Sequence, residues 1–327
     1  MKVTDVAVAV FLKPDGHFLL SSRAEGKPYA GYWEFPGGKI EPGESVRDAL
    51  VRELREELNV VIDHCTPWFS FMMVYPHATV RLHTWRVTRW HDVDPRGMMG
   101  MEGQQFQWQQ LKTITVSPTL PGCVPIFRAL SLPTTYIISN AAEMGAKVYL
   151  QHLRESWGKN AANDAPNNTF HSPIRRLIQV REKSMTDTQR RAFATKVVAM
   201  GRECNAMVMI NGDIELAQAV NADGVHLTGM QLRTLTARPA CAWVGASAHS
   251  HADLMHAAEL QCDFVVLGSV QATATHPGQV PLGWEKFTEM VGDTLVPVFA
   301  IGGMLPTDLD QAMQRGAHGI AMQRAGL

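Results

Sequence analysis

Gly38-Lys39-Ile40-Glu41-Pro42-Gly43-Glu44-Ser45-Val46-Arg47-Asp48-Ala49-Leu50-Val51-Arg52-Glu53-Leu54-Arg55-Glu56-Glu57-Leu58-Asn59-Val60 is the stretch from which the chain is read. Ser45 with Asp48 three residues on resembles a capping box and predicts a helix start. Asn59, second only to glycine at a left-handed C′ position, predicts its end. Between them Val46, Leu50, Leu54 and Leu58 recur every four residues and form the stripe to be buried. Glu53, Glu56 and Glu57 fall at i, i+3 and i+4 on a neighbouring face. Carboxylates that close raise one another's pKa unless a positive charge sits between them. Magnesium is a hard cation that takes such oxygens and recruits substrate phosphates as well. Arg52 is placed to orient Glu53, and Gly37-Gly38 lets backbone carbonyls approach a metal. A run of this kind is ordinarily a solvated helix face. Here the fixed Gly, Glu and Arg-Glu spacing over 23 positions argues against that.

The string matches the Nudix box, G-x5-E-x7-R-E-U-x-E-E-x-G-U, with Asn59 in place of the last glycine. The resemblance implies a Mg2+- or Mn2+-dependent hydrolase of a nucleoside diphosphate linked to another group, with water attacking phosphorus. It implies metal ligands at Glu53, Glu56 and Glu57, the Gly38 carbonyl beside them, and Glu53 doubling as base. Glu44 is either a supporting carboxylate or the box's structural link to its loop. The flanks resemble the MutT-type 8-oxo-dGTP diphosphatases: Trp33-Glu34-Phe35-Pro36-Gly37-Gly38-Lys39, Ser22-Arg23-Ala24 and Met101-Glu102-Gly103-Gln104. That likeness implies substrate contacts at Arg23, Trp33, Phe35 and Lys39, and a further metal-binding or basic carboxylate at Glu102. Trp33 and Phe35 read equally as core aromatics. The subfamily's base-reading asparagine falls near Cys123 and a second substrate arginine near Ala78, so base discrimination is expected to differ.

At 327 residues the chain is too long for one ordinary core and suggests two domains. Apolar residues at 46% and charged residues at 19% exclude a disordered chain. With 30 Lys+Arg against 31 Asp+Glu there is no basic field to grip duplex nucleic acid. The apolar run between Asp5 and Pro14 is too short for a signal sequence or a membrane span. Five scattered cysteines read as reduced thiols, and the expected setting is the cytoplasm. In the first third, strands are predicted at 5–12, 17–22, 66–75 and 79–89, with a helix at 44–58. Four prolines between Pro118 and Pro133 mark a boundary, giving domains of 1–132 and 133–327.

The second part alternates apolar strands, at 135–139, 174–181, 206–210, 224–227, 243–247, 264–269, 297–301 and 319–322, with helical segments. This rhythm predicts a parallel sheet covered on both faces. Eight strands fit a small (β/α)8 barrel, with a doubly wound open sheet as the alternative. The fold class expected is α/β: an α/β/α sandwich with a mixed sheet, then a barrel lacking its last outer helix. Covering that gap would make the protein a monomer with an interdomain contact or a homodimer.

This half resembles thiamine-phosphate synthases and thiazole tautomerases in Thr135-Tyr-Ile-Ile-Ser139, Gln179-Val-Arg181-Glu-Lys183, Ala222-Asp-Gly-Val-His-Leu227, Gly245-Ala-Ser247, Gly268-Ser-Val and Ala300-Ile-Gly302-Gly303. The resemblance implies a phosphate-bearing ligand at Gln179, Arg181, Lys183, Asn211, Ser247, Thr273, Thr275, Gly302 and Gly303. The synthase's two magnesium aspartates fall at Gly212 and near Gln231, and the lysine of its Thr-x-Thr-Lys string at His276. Loss of those carboxylates points to a phosphate-binding unit without synthase activity. A bifunctional hydrolase and synthase, or a hydrolase of thiamine precursors, is the alternative.

Overall fold

The computed structural model describes residues 3–94, 96–101, 103–159, 176–273, 278, 280–292 and 294–323. The chain separates into two compact units that divide between Ser131 and Leu132. In the first, β1 (Val3–Phe11), β4 (Gly37–Lys39), β5 (Val60–Tyr75) and β6 (Ala78–Asp92) form a mixed sheet ordered β4-β1-β6-β5. β1 runs parallel to β6, and the two outer pairs are antiparallel. A second, antiparallel sheet joins β3 (Trp33–Glu34), β2 (Phe18–Ser22) and β7 (Phe106–Gln109).

Helix α1 (Val46–Leu58) starts where Ser45 accepts the Asp48 N–H and ends at Asn59, which takes a left-handed φ of 54°. Leu50, Leu54 and Leu58 are fully buried in one cluster with Ala7, Ala9 and Phe11 of β1. A second helix, α2, spans Cys123–Leu130. β5 starts at Val60, six residues before the predicted strand. Register shifts between Ile62 and Ser70 break its alternation, and Pro67 is tolerated because β5 is the sheet's edge. The short strands β3, β4 and β7 carry too few residues for a period and were not foreseen.

The second unit holds β8 (Thr135–Ile138), β9 (Arg176–Val180), β10 (Ala206–Asn211), β11 (Gly224–Leu227), β12 (Trp243–Ala248), β13 (Phe264–Gly268), β14 (Val298–Ile301) and β15 (Gly319–Met322). All pairs are parallel, and β15 closes on β8 through Ile320–Thr135, Ala321–Tyr136 and Met322–Ile137. The open-sheet alternative is thereby removed. Its helices are α3 (Ala141–Met144), α4 (Ala146–Lys159), α5 (Asp187–Cys204), α6 (Ile214–Ala219), α7 (Gly229–Thr234), α8 (His251–Glu259), α9 (Gly283–Gly292) and α10 (Leu309–Gln314). Tyr136, Leu177, Met209, Phe264 and Phe299 fill the interior, so the barrel is packed and not a pore. The expectation of a missing last helix falls after Gln323, outside the described residues.

Candidate functional site

In the first unit Arg52 organises the acidic face of α1. Its Nε and Nη2 grip both oxygens of Glu44 at 2.9 Å each, and Nη2 also donates to the Lys39 carbonyl at 3.0 Å. Nη1 reaches Glu53 at 2.9 Å and the more exposed Glu56 at 3.3 Å. The guanidinium bonds hold the Glu44 carboxyl below its usual range. Glu57 turns inward and accepts the Gly37 N–H at 3.2 Å. Burial first, then the nearby Glu34 and Glu53 charges, push its carboxyl up to about 7, against the lowering effect of the Gly37 bond. Gly38 lies so close to Glu53 that a Cβ there would sit 2.1 Å from its Cδ.

Without a metal, Glu53 and Glu56 both bond Arg52 Nη1 while Glu57 bonds Gly37. Among the described residues no three His, Cys, Asp or Glu side chains gather closely enough to hold a metal ion. The reason is the arginine, which draws Glu53 and Glu56 to itself while Glu57 turns to Gly37. The Glu53 charge adds to what raises the Glu57 carboxyl, and hard carboxylate oxygens in that situation suit a divalent cation. Glu102 lies outside the described residues. Its neighbours Met101 and Gln104 donate to the Glu57 carbonyl at 2.9 and 3.1 Å, which ties this loop to the end of α1.

Arg23 pairs with both oxygens of Glu34 at 2.7 and 2.6 Å, and Lys39 is exposed. Trp33, Phe35 and Cys123 are buried, so their expected substrate contact gives way to packing. The Phe35 ring lies 5.7 Å from both Phe18 and Phe127. Burial pushes the Cys123 thiol up to about 12, and it faces the Trp33 carbonyl at 3.7 Å. A half-exposed aromatic group that the sequence reading missed, Tyr29, Tyr32, Tyr75 and His77, packs ring against ring at 5.3–5.8 Å. Its members come from the loop around Tyr29 and Tyr32 and from the end of β5 with its turn, which no local spacing connects.

In the barrel, Gln179, Arg181, Lys183, Asn211, Ser247, Thr273, Gly302 and Gly303 all line one cavity of ≈ 600 Å3 at the C-terminal ends of the strands. Thr275 and His276 lie outside the described residues. Gly302 and Gly303 take φ of 100° and 70°. A Cβ at Gly302 would meet Ser269 at 2.5 Å, so glycine is required for that close approach. Two residues not singled out beforehand, Tyr136 and His226, lie behind Ser247. Tyr136 reaches His226 Nδ1 at 3.2 Å, and His226 Nε2 reaches Ser247 Oγ at 3.0 Å. Tyr136 is fully buried and its hydroxyl proton needs an acceptor, which Nδ1 supplies. His226 then carries its proton on Nε2 and donates it to Ser247, leaving the serine proton to point at whatever the cavity holds. Burial, helped by Arg181, pushes His226 down to about 3, so it stays neutral.

The comparisons agree with this division. The NUDIX domain family matches residues 2–125, and the thiamine monophosphate synthase family matches residues 171–325. The CTP pyrophosphohydrolase of Escherichia coli is 36% identical over 129 residues, 39% of this chain and 92% of that protein. A putative thiamine-phosphate synthase 2 of Aquifex aeolicus is 32% identical over 194 residues, 59% of this chain and 96% of that protein. The thiamine-phosphate synthase of Parasynechococcus marenigrum is 38% identical over 149 residues, 45% of this chain. The chain spans only 43% of that relative's length. The chain therefore belongs to two families at once, with a Nudix domain followed by a barrel of the thiamine-phosphate synthase family.

Proposed function

We propose that the Nudix domain is a divalent-metal-dependent pyrophosphohydrolase of a nucleoside triphosphate, releasing the monophosphate and diphosphate. The observation that carries this is the Arg52 fork, which fixes Glu53 beside Gly38 while the half-buried Glu57 bonds Gly37. Glu53, Glu56, Glu57 and the Gly38 carbonyl, with Glu102, would hold Mg2+ or Mn2+. When bound, such an ion supplies stabilisation of the charge that develops on phosphate oxygens. Glu53 takes the proton of the attacking water at its carboxylate, and Arg52 keeps that carboxylate aimed. The exposed Lys39 is free to meet the phosphate chain, and Arg23 with the Tyr29–Tyr75 rings offers a face for the base.

The sequence flanks favour an oxidised purine such as that of 8-oxo-dGTP. The Escherichia coli relative, named for CTP, favours a pyrimidine as a second reading. A kcat/KM panel of 8-oxo-dGTP, dGTP, CTP and thiamine diphosphate with Mg2+ decides between them. Turnover of thiamine diphosphate alone would overturn the nucleotide reading. For the barrel we infer a phosphate-binding role without synthase chemistry, because Gly212 and Gln231 occupy the places of the synthase aspartates. No described helix is long and apolar enough to cross a membrane, and a cytoplasmic setting fits the unpaired thiols.

A further inference from the structure

The family of the barrel implies magnesium, and the residues at that place do not fit it. The Gln231 amide is already spent at both ends. Its Nε2 donates to the Gly212 carbonyl at 2.7 Å, and its Oε1 accepts the N–H and hydroxyl of Thr228 at 3.1 and 3.0 Å. A neutral bridge of this kind brings no charge to a hard cation. Gly212 lies in an adjoining pocket with Arg181, Lys183 and Arg190, where Glu182, Asp213 and Glu215 also stand, whereas the barrel cavity itself is lined by Arg181 and Lys183 and, among the described residues, by no Asp or Glu.

Of the three acids nearby, Glu215 is exposed and the other two are engaged elsewhere. Glu182 is buried and accepts the Ser139 hydroxyl at 2.6 Å and the N–H groups of Ala141 and Ala142 at 2.8 and 3.0 Å, at the start of α3. Asp213 caps α6 through the Leu216 N–H at 2.8 Å and faces Arg190 at 3.7 Å. Burial lowers the Arg181 guanidinium from its ordinary value despite the Glu182 charge. A cation in that position gains from an anionic ligand.

We propose that the barrel binds a phosphate-bearing anion directly on Arg181 and Lys183, with the Gln231 bridge closing the metal's place, so that no divalent cation is needed. This rests on reading the barrel as a phosphate-binding unit. The ligand is then the free anion and not its magnesium complex. Added Mg2+ should weaken the binding of a diphosphate by sequestering it, the reverse of what a metal-dependent site does.

Equilibrium dialysis of inorganic pyrophosphate against the full chain, in EDTA and in excess Mg2+, tests this. EDTA removes any metal-held phosphate from the Nudix domain, so the barrel is read alone. The expected result is binding in EDTA that Lys183→Ala weakens at least about tenfold, the worth of one charge-assisted hydrogen bond. Lys183→Met, which keeps most of the length of the exposed side chain without its charge, should show the same loss if Ala disturbs folding. Lys183-dependent binding that appears only with Mg2+ overturns metal independence and leaves the phosphate-binding reading standing. No Lys183-dependent binding in either buffer overturns both.

Discussion

Glu53 is constrained from two sides, by Arg52 at 2.9 Å and by the bare backbone of Gly38. Glu53→Gln should therefore lower hydrolysis by at least about 10²–10⁴-fold with the fold intact, the range for loss of a general base. A rate above about a tenth of wild type would remove Glu53 from that role. Gly38→Ala should push the Glu53 carboxylate aside and lower kcat, while circular dichroism stays unchanged. His226 yields a pH prediction of definite sign. Its folded value of about 3 lies below the usual 6.5, so as pH falls the unfolded chain takes up a proton that the folded chain refuses. Its contribution to stability is full above 6.5 and is lost downwards to about 3, at about 1.4 kcal/mol per pH unit. Urea unfolding across this window should show the slope, and His226→Gln should flatten it. Arg52, Glu53 and Glu57 were legible because their spacing is local. The His226 chain and the Gln231–Gly212 bond were not, because those partners stand on neighbouring strands and loops that no sequence interval reveals.

At the scale of elements, α1 is the piece that local chemistry dictates most fully. The Ser45 cap, the Leu50–Leu54–Leu58 stripe and the left-handed Asn59 each appear where the residue types require them. Ser45→Ala should cost about 1 kcal/mol, the usual worth of an N-cap. Leu54→Ala, in a fully buried position, should cost about 2–5 kcal/mol. Chemical denaturation of both variants measures this, and a Leu54→Ala loss no larger than that of Ser45→Ala would contradict the packing described. β5 shows the limit of such reading. Its bulges break the two-residue period, so the predicted strand at 66–75 misses the six residues before it, and the edge position accommodates Pro67.

For the whole molecule, the alternation of apolar strands and helices pointed to eight parallel strands. Only the β15–β8 pairing shows that they close, because closure depends on tilt and stagger, which a linear pattern does not record. Family membership likewise leaves the chemistry of the barrel to its site. The full chain should form no thiamine phosphate from the thiazole phosphate and the pyrimidine diphosphate above the no-enzyme control. Product formation that depends on Ser247 would establish a bifunctional enzyme instead.

The Tyr136–His226–Ser247 chain has a bearing on inhibitor discovery. Its protons all run one way, so the group that meets Ser247 Oγ–H must offer a lone pair. Two fragments of equal volume, one presenting a sulfonyl oxygen there and the other an ammonium, fill the cavity alike but leave different groups unmatched. A screen ranked on shape alone would place them together, whereas the wall of the barrel tells them apart by hydrogen-bond polarity.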